Sequence, residues 1–188
     1  MSRPALSLAL ALAVLIPARA ADSAPEAAQA ADLLRGLAGS WSGELTYKDY
    51  ESGERTSLKL NKTVTLLPDG ATLQVLAAYD DGPAGIVTIV SLQGLAEDGQ
   101  TWQSAAFRKG EDRATGDARL TLPSAPAGPT RWTIVTLEDG TDGGHPATIR
   151  ETITRNGDQL TTLTEYDRTD DDVSAFAFRN EEVLVRAP

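Results

Sequence analysis

The sequence predicts an all-β fold: an up-and-down antiparallel β-barrel of about eight to ten strands behind a short N-terminal helix. Three observations predict it. Beyond Trp41, apolar residues recur at every second position, the period of a half-buried strand. Turn signals punctuate the chain at Pro68-Asp69-Gly70, Asp80-Asp81-Gly82-Pro83, Glu97-Asp98-Gly99, Glu138-Asp139-Gly140 and Asn156-Gly157-Asp158. The segments between turns are long, and ten strand residues rise about 33 Å. Consecutive hairpins of that reach suit a barrel better than a sandwich of short strands. The Cys and buried-Trp pattern of immunoglobulin sandwiches is missing, since the chain has no Cys.

The elements follow in order. Residues 1–20 read as an export signal: Arg3, the apolar run at 5–16, the breaker Pro17, and the small-x-small pattern Ala18-Arg19-Ala20. Cleavage is expected before Ala21, leaving a periplasmic or secreted protein. The apolar run is shorter than the roughly 20 residues of a membrane span, and no later run approaches that length. Residues 21–31 are Ala-rich and read as a flexible linker, and the barrel domain is expected over 32–188. A short helix is expected over about 28–37, ended by Gly36 or Gly39. Strands are expected at 41–50, 56–67, 71–79, 85–93, 100–108, 117–122, 130–138, 146–155, 158–167 and 174–186. Residues 109–130 have the weakest strand character, with Pro123, Pro126, Gly128 and Pro129 making a loop.

Composition limits partners. Removing Arg3 and Arg19 leaves 15 basic residues against 27 acidic, a net charge of −12. That charge argues against nucleic acid and anionic membrane surfaces. Without Cys there is neither a disulfide nor a thiol for lipid attachment, so the exported domain depends on its own core. The oligomeric state is left open.

The segment Leu33-Leu34-Arg35-Gly36-Leu37-Ala38-Gly39-Ser40-Trp41 is a helix delivering Gly-x-Trp at the first strand. It resembles the opening of lipocalins and the wider calycin group. Tyr47-Lys48-Asp49-Tyr50 and Ser52-Gly53-Glu54-Arg55 resemble secreted bacterial lipocalin-like domains of unassigned function. The resemblance implies that Trp41 closes one barrel end under an arginine from the last strand, either Arg179 or Arg186. It also implies binding of small, largely apolar molecules. Thr164-Glu165-Tyr166 echoes the lipocalin Thr-Asp-Tyr motif, but too late in the chain.

Two charges break the strand pattern. Leu58, Leu60, Val64 and Leu66 share a face with Lys62 at its centre. If Asn156-Gly157 forms a two-residue loop, Arg155 faces Asp158, Ile153 faces Leu160 and Glu151 faces Thr162. Glu151 then lies among Ile149, Ile153, Leu160 and Tyr166. In the third strand Leu73, Val75, Ala77 and Tyr79 share a face. An inward charge is costly unless paired or wetted. Lys62, Tyr79, Glu151 and Tyr166 are therefore the candidate ligand-binding residues of a water-containing lumen. The alternative is that Lys62 and Glu151 reach water at a barrel mouth or form structural ion pairs.

Other chemistry is weakly supported. His145 is the single histidine, in a Gly-rich turn beside Asp142, and one His without Cys falls short of a transition-metal set. Asp167, Asp170, Asp171 and Asp172 lack the spacing of a calcium loop and read as a solvated charge run. Asn61-Lys62-Thr63 matches a glycosylation pattern but lies inside an expected strand. No nucleophile elbow, phosphate loop or dinucleotide fingerprint occurs, so no catalytic residue, cofactor or metal is expected. The favoured reading is an exported barrel that binds a small, amphiphilic or apolar molecule. An acid/base enzyme using Glu151, or an envelope protein interacting through its outer surface, are the alternatives.

Overall fold

A computed structural model describes residues 23–49 and 52–187. The expected signal segment lies outside the described residues, as do residues 21 and 22, Tyr50 and Glu51. A helix, α1 (Ser23–Arg35), precedes ten strands: β1 (Gly39–Lys48), β2 (Arg55–Leu66), β3 (Leu73–Asp80), β4 (Ile86–Leu95), β5 (Thr101–Arg108), β6 (Ala114–Thr121), β7 (Arg131–Asp142), β8 (His145–Asn156), β9 (Gln159–Arg168) and β10 (Ala177–Arg186). Every strand pairs antiparallel with its chain neighbours, and β1 pairs with β10 to close the barrel. The expected fold class is the observed one. The helix starts earlier than expected and overlaps the segment read as a linker.

The turns explain where the boundaries differ. Glu138-Asp139-Gly140 is not a turn: β7 continues through it to Asp142, and the chain reverses at Gly143-Gly144. Those glycines have φ of 59° and 84°, the positive values that a two-residue hairpin loop demands. Gly140 is a strand glycine for a packing reason, because a Cβ there would lie 2.9 Å from Ile149 Cδ1. The next hairpin turns at Gly157-Asp158, since Asn156 pairs with Gln159. Gly157 alone takes positive φ, 65°. The expected register therefore shifts by two: Arg155 faces Leu160, Ile153 faces Thr162 and Glu151 faces Thr164. A shift of two preserves the faces, so Glu151 still points inward. Within the weak stretch 109–130, β6 occupies Ala114–Thr121.

Two hairpins at one end share a device, Asp-Gly-x-Thr. Asp69 Oδ1 accepts from Ala71 N at 3.0 Å and Thr72 N at 2.9 Å, and Asp98 Oδ1 accepts from Gln100 N and Thr101 N, both at 2.8 Å. In each, the Thr hydroxyl donates to the second carboxylate oxygen at 2.6 Å. These bonds hold Asp69 well below the ordinary carboxylate range, near 2, the Thr72 hydroxyl contributing most.

The core lies at this same end. Ala30, Leu33, Leu34 and Leu37 follow helical spacing and are buried against Trp41, Trp102, Trp132, Ile134, Leu160 and Leu184. The helix thus plugs the barrel. Trp41 is 1% exposed, and its Nε1 donates to Leu37 O at 2.8 Å. Arg186 Nη2 donates to Ala38 O at 2.7 Å, and Arg155 Nη1 to Gly36 O at 2.5 Å. Both guanidinium groups also lie over the Trp41 ring, 5.2 and 5.5 Å from its centre. Cations there satisfy the carbonyls left open where the helix ends. Gly39, at φ 142°, has a backbone conformation that strains any other residue, and a Cβ there would also lie 2.7 Å from Arg186 Nη2, pushing that guanidinium aside. The Gly-x-Trp pattern thus has a local cause: the glycine admits the arginine that covers the tryptophan. Arg179 is not that arginine. It sits at the other end, donating to Lys48 O at 2.8 Å and lying 3.3 Å from Asp142 Oδ1.

Candidate functional site

Above the plug, the inward faces of the strands enclose a cavity of about 380 Å³. Its floor is apolar, formed by Leu37, Val64, Leu73, Trp102, Ile153 and Leu160. Higher up, the same strand faces carry polar side chains. Lys62, Tyr79, Glu151 and Glu182 form a polar belt nearer the mouth, interleaved with Leu45, Ala77, Ile89 and Ala106, whereas Gln93 pairs with Leu73 and Thr162 with Ile153 at the level of the floor. The change from apolar floor to polar belt follows from the alternation, because each inward position two residues nearer the mouth meets the next level of the cavity.

Lys62 ion-pairs with Glu182 across the interior, with side chains 16% and 11% exposed. Tyr79 Oη donates to the other Glu182 oxygen at 3.4 Å. Burial and the Glu182 charge push the Tyr79 hydroxyl far above its ordinary pKa, so it is a donor at every physiological pH. Glu151 is different. Among the described residues its hydrogen-bond partner is the Thr164 hydroxyl, at the long distance of 3.5 Å. Burial raises its pKa, and the nearby Glu182 charge raises it further, while Lys62 opposes the shift. The lumen therefore holds one satisfied ion pair and one carboxyl without a cation of its own.

Of the expected ligand-binding residues, Lys62, Tyr79 and Glu151 come together around this cavity. Tyr166 does not line it. It shares the inward side of β9 but lies nearer the mouth, opposite Ile149 and Ala177. Glu182 was missed. Its segment Glu181-Glu182-Val183-Leu184-Val185 places apolar residues on both faces, and a register shift between Phe178 and Asn180 upsets counting from the strand start. The usable signal was Lys62 itself, since a buried ammonium requires a carboxylate partner.

Glu138 was also missed, because it ends the expected strand 130–138, at the start of an expected turn. β6 and β7 pair over three residues, Arg119–Thr121 with Val135–Leu137, and diverge beyond Leu137. The Glu138 carboxylate fills the gap against Gly116, where a Cβ would meet its Oε2 at 2.6 Å and Ser104 Oγ at 3.4 Å. Burial, then the Asp117 charge, raises its pKa.

His145 and Asp142 do not form a joint site. His145 Nδ1 lies 2.9 Å from Asp170 Oδ2, while Asp142 lies beside Arg179. The acidic loop instead ties itself down: Asp167 accepts from Ala175 N at 2.9 Å and Asp171 from Val173 N at 2.8 Å. Among the described residues, no three His, Cys, Asp or Glu are placed to hold a metal ion. No described helix is long and apolar enough to cross a membrane.

No family model matches the chain, and no curated protein matches it. Among solved structures it is similar to the crystal structure of Rv2717c from M. tuberculosis, with a TM-score of 0.58 and 12% identity over 86% of this chain and 98% of that one. That likeness shows the fold, a closed ten-stranded antiparallel barrel, and nothing of the ligand.

Proposed function

We propose that this protein is an exported binding barrel, laid out like a lipocalin, that carries one small amphiphilic molecule in its lumen. One observation carries the reading: the cavity of about 380 Å³ has an apolar floor and a polar belt holding Lys62, Tyr79, Glu151 and Glu182. Its volume falls within the about 300–1,000 Å³ of small-molecule sites, and barrels of this class hold one small ligand. Export is inferred from the signal-like sequence at 1–20, and on that reading the carrier works in the periplasm or outside the cell. Native mass spectrometry of the protein purified from its host's envelope tests the reading. A co-purifying small molecule at one per chain supports it. Its repeated absence, with no uptake from a lipid extract, refutes it.

A second reading has its own observation. Leu76, Val90 and Phe107 align across β3, β4 and β5 on the outer face, with Leu92 beside them; Leu76, Leu92 and Phe107 are exposed. An apolar row of this kind supports contact with a protein through the outer surface. Replacing Leu76 and Phe107 by Ser would abolish such an association and leave ligand uptake intact.

A further inference from the structure

We propose that the lumen selects ligands whose polar end is a cation, an ammonium or guanidinium group on an apolar tail, and that Glu151 receives it. This inference rests on the carrier reading above and names the ligand class for the same cavity.

The argument is a count of which charges are already matched. One ammonium and two carboxyl groups line the cavity, Lys62, Glu151 and Glu182. The single ammonium is paired with Glu182. Other cations near the interior lie off the cavity lining. Arg155 and Arg186 hold the helix carbonyls at the closed end. Arg108, near the mouth, pairs with Glu111 at 3.0 Å and its charge also reaches Tyr79, while Arg168, whose buried Nε has no hydrogen-bond partner among the described residues, acts on Asp170. Neither Arg108 nor Arg168 lines the cavity. Glu151 thus faces the enclosed space with only the long Thr164 contact.

The three ligand types then differ in what they meet. A cation beside Glu151 supplies the missing partner in a low-dielectric enclosure, where pairing is strongest. A neutral head leaves Glu151 as it was. An anionic head has to take Lys62 from Glu182, which leaves the Glu182 carboxylate buried without its cation. Glu151 lies two residues, about 7 Å of strand, from Ile153 on the apolar floor, so the floor and the carboxyl line one continuous space.

Proton linkage follows. The groups facing Glu151 are Lys62 from β2, Tyr79 from β3, Glu138 from β7, Thr164 from β9 and Glu182 from β10. Burial, then the Glu182 charge, raises the Glu151 pKa above the ordinary carboxylate value, with Lys62 opposing. A bound cation favours the carboxylate, so binding releases a proton and strengthens as pH rises towards the raised pKa.

Isothermal titration with decyltrimethylammonium, decanol and decanoate tests this, since the tails match and the quaternary charge does not titrate. Expected is at least tenfold tighter binding of decyltrimethylammonium than of the other two, strengthening from pH 5 to pH 8. Glu151→Gln, which keeps the shape, should remove both the preference and its pH dependence. Equal or tighter binding of decanol or decanoate overturns the inference while leaving the carrier reading standing. So does a preference that survives Glu151→Gln. If none of the three binds saturably, the carrier reading and this inference fail together.

Discussion

Replacing Lys62 by Met leaves the Glu182 carboxylate inside the barrel with the Tyr79 hydroxyl, at 3.4 Å, as its hydrogen-bond partner among the described residues. Methionine fills most of the lysine volume, so the loss is one of charge rather than packing. Removing one partner of a buried ion pair costs about 3–5 kcal/mol. Here the side chains keep 16% and 11% of their exposure. Cavity water can also solvate part of the freed carboxylate, so the low end, about 3 kcal/mol, is expected. For a domain of this size each kcal/mol moves Tm by about 2–4 °C, so Tm should fall by about 6–12 °C. Urea and thermal unfolding followed by tryptophan fluorescence measure it, with Trp41, Trp102 and Trp132 all in the core. A double-mutant cycle with Glu182→Gln isolates the pair and should give a coupling of at least about 1 kcal/mol. A Lys62→Met loss under about 1 kcal/mol with no coupling would show that the pair is solvated and that the lumen is not the enclosed environment described above.

Three further outcomes are expected. Trp41→Ala should destabilise by about 3–5 kcal/mol in urea unfolding, and Trp41→Phe by less, since it keeps the ring and loses the bond to Leu37 O. Gly39→Ala should cost more than about 1 kcal/mol, because positive φ and the Arg186 guanidinium both oppose a Cβ; Arg186→Ala in the same background should recover part of that loss. Glu151→Gln should stabilise the unliganded protein at neutral pH. The sign follows from the direction of the shift: with its folded pKa raised, Glu151 binds more protons folded than unfolded, so wild-type stability falls as pH rises from the ordinary value of 4.5 through the raised one. Below 4.5 the variant and wild type should converge, and chemical unfolding across pH 4–8 checks this.

Much of the barrel was legible because alternation and turn chemistry act locally. Each expected strand has an observed counterpart, and Lys62 stood out because a charge at an apolar period is costly wherever the strand goes. The errors came from effects that reach across strands. Gly140 looked like a turn residue because the side chain that requires its small size, Ile149, comes from the next strand. The Asn156-Gly157 register was off by two because Gly157, not Asn156, takes positive φ. Arg155 covers Trp41 together with Arg186, a partnership across well over a hundred residues that no local pattern reveals. Glu182 escaped for the same reason: its meaning depends on Lys62, at the far end of the chain.

The central claim is that the lumen is an open site for an amphiphile, and Trp102 on its floor reports on that directly. Titrating the protein with decyltrimethylammonium brominated near the tail end should quench tryptophan emission saturably, at one ligand per chain. Ala106→Trp, which fills the cavity from β5, should abolish the saturable phase while the protein stays folded. Quenching that never saturates, or that is unchanged in Ala106→Trp, would contradict the account.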